Sequence, residues 1–504
     1  MPAKPIRRSA LLALALLMAA AVPVRATTPP TFTVVDSIWP GSDASRAMDL
    51  AASAAFGDYL YFQADDGTTG RELWRSNGTT TTRVFDINTG SGDGSPRNFA
   101  VFGDHLYFQA DDGTNGGELW RTDGTTTTLV KDIWSGSDGS DPNYFAVLGD
   151  YLYFQAQDEM GKELWRTDGT TLGTTLVKDI NPGPGDSSPN RLTAFGGYLY
   201  FSANDGLSGY ELWRTDGTAG GTTQVYDVNP GPGDSYSQNF NVLGGHLYFR
   251  AYNEESYGTE LWRTDGTTTN LVYDINPGTD DSNLSSNLYD FAVFGDYLYF
   301  GANNGTAGGE LWRTNGTSTT QVHEIQSGPD GSNPNNLAVL GNFLYFQAND
   351  GTTGDELWRT DGTSAGTTFV FDIRTGEYGS DPEAFVKLGD FLYFTAYDGD
   401  EDYVYQTNGT VTQRVPFPID ADQSVDCYCF ANSLIAVGGR LFSTVYSEAT
   451  GDEFAYLDEP TYVLPETNRD GGMNSAWTVA LSTLALITLA VGVGLRRRAG
   501  AAQR

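Results

Sequence analysis

The sequence predicts an all-β fold, a β-propeller of four-stranded blades, and three observations lead to this prediction. The peptide Glu-Leu-Trp-Arg-Thr-Asp-Gly-Thr, or a close variant, occurs seven times at intervals of 45 to 50 residues. Each copy lies in a unit that contains four short strand signals separated by turns of Gly, Asp and Asn. Outside the two ends of the chain, the apolar residues show no helical periodicity. A fixed period of this length is typical of blades that bury their faces against one another.

The unit that begins at Asn190 shows the four strand signals in order. Residues 192–195 and 198–203 are apolar runs, residues 211–214 carry the Glu-Leu-Trp-Arg peptide, and residues 223–228 form the fourth signal. The Asp216-Gly217 pair after the third strand predicts a type I′ hairpin turn. In residues 59–64 both alternating faces carry large apolar side chains. Burial of both faces is expected for a strand that lies between two neighbouring blades.

The number of blades follows from the strand that contains Leu-Tyr-Phe. This strand occurs eight times, and Arg440-Leu441-Phe442 is a ninth, weaker copy. The last unit lacks a clear fourth strand, whereas residues 32–38 resemble a fourth strand without the first three. We therefore expect the N-terminal strand to complete the last blade, because this closure removes two exposed edges. The count predicts nine blades over residues 31–457, or eight if the last fragment lies outside the ring.

Both ends of the chain carry targeting signals. Basic residues precede an apolar run from Ala10 to Val22, which predicts a signal peptide over residues 1–26 with cleavage after Ala26. Residues 475–495 are uncharged and long enough to cross a bilayer as a transmembrane helix. The basic tail at residues 496–504 begins with three Arg residues, which places the C-terminus in the cytoplasm. The propeller is then expected on the extracellular face.

The charge of the exported part limits the kinds of molecule that it can bind. The chain has 29 basic and 64 acidic residues, and removal of the eight basic residues in the terminal segments leaves 21 basic residues, a net charge near −43. Such a surface repels nucleic acid and anionic lipid and attracts divalent cations. The two cysteines, Cys427 and Cys429, predict a local disulfide or two free thiols, since two thiols are too few for a structural zinc site.

The repeated peptide and the segment that follows it, residues 173–183, resemble the ELWxxDGT repeat family of exported, hyalin-like bacterial proteins. This resemblance covers roughly residues 31 to 457. It implies export and a repeat architecture, and it brings no catalytic residues.

The linker at residues 458–474 resembles a sortase sorting signal through Leu464, Pro465, Glu466 and Thr467, although Asn468 stands where such signals have Gly. This second resemblance implies cell-wall attachment by a sortase at Thr467. The alternative is a permanent membrane anchor through the C-terminal helix.

The loop before each Glu-Leu-Trp strand is a candidate Ca²⁺ site. Its pattern Asp-Gly-x-x-Gly-x-Glu combines carboxylate oxygens with a Gly-rich turn, which suits the flexible oxygen coordination of Ca²⁺. Ordinary turn formation explains the same Asp-Gly pairs. The candidate ligands are Asp66, Glu72, Asp112, Glu118, Asp205, Glu211, Asp350 and Glu356.

No catalytic group stands out in the sequence. The seven repeated tryptophans are expected to pack between blades rather than form sugar-stacking platforms. His323 has no evident Ser or Cys partner for a nucleophilic triad. We therefore expect a non-enzymatic cell-surface binding or adhesion protein with an extracellular glycan or protein ligand. The alternatives are a structural envelope component and a secreted glycan hydrolase or lyase, whose unique site is expected within the irregular stretch of residues 398–429.

Overall fold

A computed structural model describes residues 31–35, 38, 52–285, 287, 290–416, 425–426, 434–447 and 451–459. All of them belong to one compact unit, residues 30–459. The signal peptide, the cysteines, the sorting signal and the C-terminal helix of the sequence analysis lie outside the described residues. Within the part of the chain that is described, no helix is long and apolar enough to span a bilayer.

The described residues form 37 strands, which begin with β1 (Thr33–Val34). Blades one to four follow in chain order, with the strands β2 (Ala54–Phe56), β3 (Tyr59–Asp65), β4 (Arg71–Ser76), β5 (Thr81–Phe85), β6 (Arg97–Phe102), β7 (His105–Asp111), β8 (Gly117–Thr122), β9 (Thr127–Lys131), β10 (Asn143–Leu148), β11 (Tyr151–Asp158), β12 (Gly161–Thr167), β13 (Thr175–Lys178), β14 (Asn190–Phe195), β15 (Tyr198–Asn204), β16 (Tyr210–Thr215) and β17 (Thr223–Tyr226).

Blades five to nine continue the same order, with the strands β18 (Gln238–Leu243), β19 (His246–Asn253), β20 (Gly258–Thr264), β21 (Thr269–Tyr273), β22 (Phe291–Phe294), β23 (Tyr297–Asn303), β24 (Gly309–Thr314), β25 (Thr319–His323), β26 (Asn335–Leu340), β27 (Phe343–Asn349), β28 (Asp355–Thr360), β29 (Thr368–Phe371), β30 (Glu383–Leu388), β31 (Phe391–Tyr397), β32 (Asp402–Thr407), β33 (Thr412–Arg414), β34 (Val425–Asp426), β35 (Leu434–Val437), β36 (Arg440–Ser447) and β37 (Gly451–Asp458).

Each of the first eight blades is an antiparallel sheet of four consecutive strands. The ninth blade is completed by the N-terminal strand, because β1 pairs with β37 through Thr33 opposite Tyr456 and Val34 opposite Ala455. In the same sheet, β35 and β34 both pair with β36. The predictions of nine blades and of closure by the N-terminal strand are therefore confirmed.

The core lies between blades and not within a single one. Leu199 and Phe201 of blade four pack with Tyr153 of blade three, whereas Tyr200 packs with Phe249 of blade five. The two faces of β15 thus enter two different apolar clusters, as its sequence predicts. Blade nine packs against blade one in the same way, through Phe442 and Leu60, which closes the ring.

The predicted type I′ turn is wrong. Gly217 has a positive φ of 91°, but Asp216 does not have a positive φ, and both central residues of a type I′ turn require one. The Asp216 carboxylate instead accepts the backbone N–H of Thr218 at 2.9 Å, and the Gly217 N–H donates to the Thr215 hydroxyl. These side-chain contacts stabilise a wider loop between β16 and β17 than a two-residue turn.

The first strand of each blade surrounds the central channel. First strands of consecutive blades lie against one another, as β10 does with both β6 and β14. One ladder position on these strands faces the channel and carries five valines that are 38 to 45% exposed, Val101, Val147, Val242, Val293 and Val339. The end of the channel at which the first strands begin is called the upper mouth below.

Candidate functional site

The predicted calcium ligands do not converge. The Asp66 carboxylate accepts the backbone N–H groups of Thr68 and Thr69, both at 2.9 Å. Asp112, Asp205 and Asp350 make the same local contacts. Glu72, the other predicted ligand of this loop, is fully buried and instead accepts the backbone N–H of Ile87 in a different loop. Within the described ranges, no three His, Cys, Asp or Glu side chains lie close enough to hold a metal ion. Calcium binding stays a prediction that these contacts do not support.

The repeated Glu joins its blade to the chain segment that leads to the next blade. Glu118 accepts the N–H groups of Ile133, Trp134 and Ser140 at 2.9 to 3.2 Å, and the Ser140 hydroxyl at 2.6 Å. The same arrangement recurs at Glu72, Glu163, Glu211, Glu260, Glu310 and Glu356. The Glu of the motif is therefore a structural acceptor for buried amides, which otherwise would have no partner.

The repeated Arg joins neighbouring blades at the opposite end of the motif strand. Arg166 of blade three donates to the carbonyl oxygen of Gly217 in blade four at 2.8 Å, and its guanidinium stacks on the Tyr151 ring. Between blades nine and one, Arg440 at the start of β36 makes a similar contact from a different strand position, to the carbonyl of Asn77. The motif thus supplies contacts between blades through its Glu and its Arg.

Burial of the repeated Glu side chains predicts an unusual pH dependence of stability. Burial raises the pKa of Glu211 and of Glu260 to about 8, and the backbone amides only partly oppose it. In the native state these groups bind protons that the unfolded chain releases above about pH 4.5, so stability falls as pH rises. Burial tends to raise the pKa of Asp66 too, but hydrogen bonds from Thr68 and Thr69 outweigh it and lower the pKa to about 2.

We therefore expect the melting temperature to rise as the pH is lowered from about 8 to about 5, and to fall again as carboxylates such as Asp66 take up protons below about pH 4. A scan of melting temperature against pH at constant ionic strength measures this. A melting temperature that drops steadily from pH 8 to pH 5 would contradict the prediction, and would mean that the amides keep the Glu side chains ionised.

His323 has a serine partner, contrary to our expectation. Its Nδ1 lies 2.8 Å from the Oγ of Ser364 in blade seven. In blades two and three, Lys131 and Lys178 occupy the same position of the outer strand and also reach the next blade. The His323–Ser364 pair is therefore another version of an inter-blade contact.

A group of carboxyl side chains lies at the upper mouth in blade eight and the loop before it. Glu383 begins β30 and pairs with Thr395, while Asp402 begins β32 and pairs with Tyr397. Thr395 and Tyr397 are two residues apart on β31, so Glu383 and Asp402 lie on the same face of the sheet. Asp381 lies two residues before Glu383 and accepts the Gln347 amide at 3.2 Å.

The charges of this group interact. Burial, then the charges of Asp402 and Asp381, raise the pKa of Glu383. Burial and the charges of Asp355 and Asp402 raise the pKa of Asp381, while the nearby Arg374 lowers it. Carboxyl groups whose environments differ in this way can take different roles in acid–base chemistry at one pH.

An aromatic and cationic stack lies beside these carboxyl groups. The Arg374 guanidinium lies over the rings of Tyr378 and Tyr397, at 4.8 and 4.9 Å from their centroids. The backbone N–H of Arg374 donates to Glu356, which positions the residue. Tyr378 is 62% exposed. Exposed aromatic rings of this kind can stack on sugar rings.

A second feature of the upper mouth lies between blades six and seven. Asp290 is 4% exposed and accepts the backbone N–H of Asn336 at 2.8 Å. Asn336 donates through its side chain to Gln347, which donates in turn to Asp381. Asp290 is thus linked to Asp381 through the backbone and side chain of Asn336 and the side chain of Gln347.

Most of these residues were missed in the sequence analysis. The irregular stretch of residues 398–429 contains Asp402, but Asp290, Asp381 and Glu383 lie outside it. A comparison of the repeats position by position would have found Glu383, because the equivalent residues in blades two to five and seven are Arg97, Asn143, Asn190, Gln238 and Asn335.

Comparisons with known proteins give no family. No family profile and no curated protein matches the sequence. A puromycin-hydrolyzing peptidase of Mycobacterium tuberculosis matches with a TM-score of 0.37 and 12% identity over 74% of this chain and 61% of that chain. A prolyl endopeptidase structure matches with a TM-score of 0.39 and 12% identity over 82% of this chain and 55% of that chain. The chain spans less than two thirds of the length of either.

The prediction of a non-enzymatic adhesion protein is wrong by this comparison, because both structures are hydrolases, a class given above only as an alternative. TM-scores this low carry no argument for peptidase chemistry in this chain. The residues of its own upper mouth must therefore support any proposal about activity.

Proposed function

We propose that this chain is an exported hydrolase that cleaves glycosidic bonds at the upper mouth of its channel. The observation that carries the proposal is the group of interacting carboxyl side chains at Asp381, Glu383 and Asp402, beside the exposed ring of Tyr378. Glycoside hydrolysis uses two carboxyl groups, one that gives a proton and one that activates water or attacks. Three carboxyl groups lie close enough at this place for their charges to interact.

The roles follow from the surroundings of each group. Glu383 is half-buried beside two other carboxyl groups, which favours its protonated form, so it serves as the general acid. Asp381 is exposed, and Arg374 opposes the rise in its pKa that burial and the charges of Asp355 and Asp402 cause, so we assign it the role of general base. Glu383 donates its proton to the glycosidic oxygen as the bond to the anomeric carbon breaks. Asp381 takes a proton from the water that attacks this carbon.

The stack of Arg374 with Tyr378 and Tyr397 orients the substrate in this proposal. Tyr378 offers an apolar face to a sugar ring, and the adjacent carboxyl groups accept hydrogen bonds from sugar hydroxyls. The large excess of acidic residues disfavours polyanionic glycans such as polyuronates. A neutral polysaccharide is therefore the proposed substrate class.

The proposal retains the location expected from the sequence. The signal peptide exports the chain, and the C-terminal helix holds the propeller on the extracellular face, or a sortase attaches it to the cell wall after Thr467. In either case the enzyme acts on glycans outside the cell.

The proposal is tested by release of reducing ends from neutral polysaccharides by the purified full chain. We expect Glu383→Gln to lower the rate by about 10² to 10⁴ fold, because the general acid is lost. The matched control is Glu324→Gln, an exposed carboxyl in blade six, and it should retain full activity. Equal activity of the Glu383→Gln variant, or no release from any neutral glycan by the native chain, would overturn the proposal.

A further inference from the structure

The structure assigns a separate binding site for one small, neutral, polyhydroxylated molecule of monosaccharide size to the cavity between blades six and seven. The cavity has a volume of about 200 Å³. Its wall includes Asn283, Ser285, Asp290, Gly301, Asn333 and Pro334. This inference goes beyond the proposed hydrolysis and stands without it.

Blade six departs from the repeat at Gly301, which lies in the wall of this cavity. The equivalent residue is Gln63, Gln109, Gln155 and Gln347 in four other blades, and Ser, Arg or Thr in the remaining ones. At Gly301 an added Cβ would lie 2.7 Å from the carbonyl oxygen of Pro334. The backbone of residue 334 therefore lies against Gly301, where the other blades carry a side chain, and both residues belong to the wall of the cavity.

A second departure places a carboxyl group in the wall of this space. In blades two to five, seven and eight, the first strand has a register shift against the second strand. In blade six, β22 pairs with β23 without one, as the first two strands do in blades one and nine. Asp290 precedes β22 and is more than nine-tenths buried, with the Asn336 N–H as a donor. Both departures occur in the same blade and meet at one cavity.

The wall determines which ligand fits. Its described side chains offer amide, hydroxyl and carboxyl groups, which form hydrogen bonds with sugar hydroxyls. They include no Lys or Arg to bind an anion, and no aromatic ring to stabilise an ammonium group. Burial raises the pKa of Asp290, which also disfavours a cationic ligand that needs the ionised carboxylate. The volume is below the ~300 to 1,000 Å³ of sites for drug-sized ligands, which limits the occupant to about one sugar ring.

The experiment is isothermal titration of the full chain with glucose, galactose, N-acetylglucosamine and myo-inositol, and with glucuronate and glucosamine as charged counterparts. We expect at least one neutral compound to bind and both charged ones to bind more weakly. The Gly301→Gln variant places a side chain against the Pro334 carbonyl and displaces this wall of the cavity, so it should weaken binding at least about tenfold.

Three controls make the result decisive. Gly301→Gln is expected to lose some stability, because its Cβ must displace the Pro334 carbonyl, so a cooperative thermal unfolding transition checks that it is folded. Ser202→Ala, at the equivalent position of blade four, should leave binding unchanged. Should Gly301→Gln fail to fold, Asp290→Asn tests the same wall and should also weaken binding. Glu383→Gln should leave binding intact. Binding at this cavity is therefore tested independently of the hydrolase proposal. No neutral ligand, stronger binding of glucosamine or glucuronate, or native affinity in Gly301→Gln would overturn the inference.

Discussion

Replacement of Phe32 by alanine is expected to destabilise the propeller by about 3 to 5 kcal/mol, the usual cost of removing a buried phenylalanine. Phe32 is 1% exposed and packs in the apolar cluster shared by blades eight and nine, with Leu388, Tyr393 and Leu441. Its backbone N–H donates to the carbonyl of Pro416 at 3.2 Å. The short strand β1 has only two residues. We therefore expect Phe32 to provide much of the free energy that holds the N-terminal strand in blade nine.

The measurement is denaturant unfolding of the full chain, with Phe85→Ala as the matched control. Phe85 is 41% exposed at the end of an outer strand, so its removal should cost far less. Loss of ring closure also exposes the edge of β37, and limited proteolysis should then cleave the Phe32→Ala variant near its N-terminus before the native chain. Equal stability of the two variants would mean that β1 does not close the ring.

The sequence predicted the architecture well because every copy of the repeat carries the same residues that determine the fold of a blade. Alternating large apolar residues in the Leu-Tyr-Phe strands require burial on both faces, and each such strand enters two apolar clusters. The missing strand of the last unit and the extra N-terminal strand indicated the closure that β1 and β37 form. The type I′ turn was wrong because the side chain of Asp216, and not the dihedral preference of Asp-Gly, determines the shape of that loop.

The candidate site was missed because its carboxyl residues stand out only when equivalent positions of the blades are compared, and because some of its contacts join neighbouring blades of the closed ring. Asp290 contacts Asn336 of the next blade, 46 residues later. The sequence search favoured the abundant Asp and Glu of the repeat as ligands, yet the fold uses Glu118 and its equivalents to bind backbone amides. Single departures from the repeat, such as Gly301 and Glu383, indicate the candidate sites. They are recognised only by comparison with the equivalent positions in the other blades.

The second large effect is expected at the repeated Glu. Replacement of Glu118 by leucine keeps a side chain of similar size but leaves three backbone N–H groups and the Ser140 hydroxyl without their acceptor. Each buried donor without a partner costs about 1 to 3 kcal/mol, and movement of the loop recovers part of it. We expect Glu118→Leu to lower the free energy of unfolding by about 3 to 5 kcal/mol.

Denaturant unfolding at neutral pH measures this loss, and Glu159→Leu is the control, because Glu159 is exposed. Glu118→Gln should be intermediate, since its amide retains one acceptor oxygen but turns an N–H donor toward groups that also donate. If Glu118→Leu were as stable as the control, the repeated Glu would not be a structural acceptor. Its presence in seven blades would then need a functional cause, and the calcium prediction for these loops would regain support.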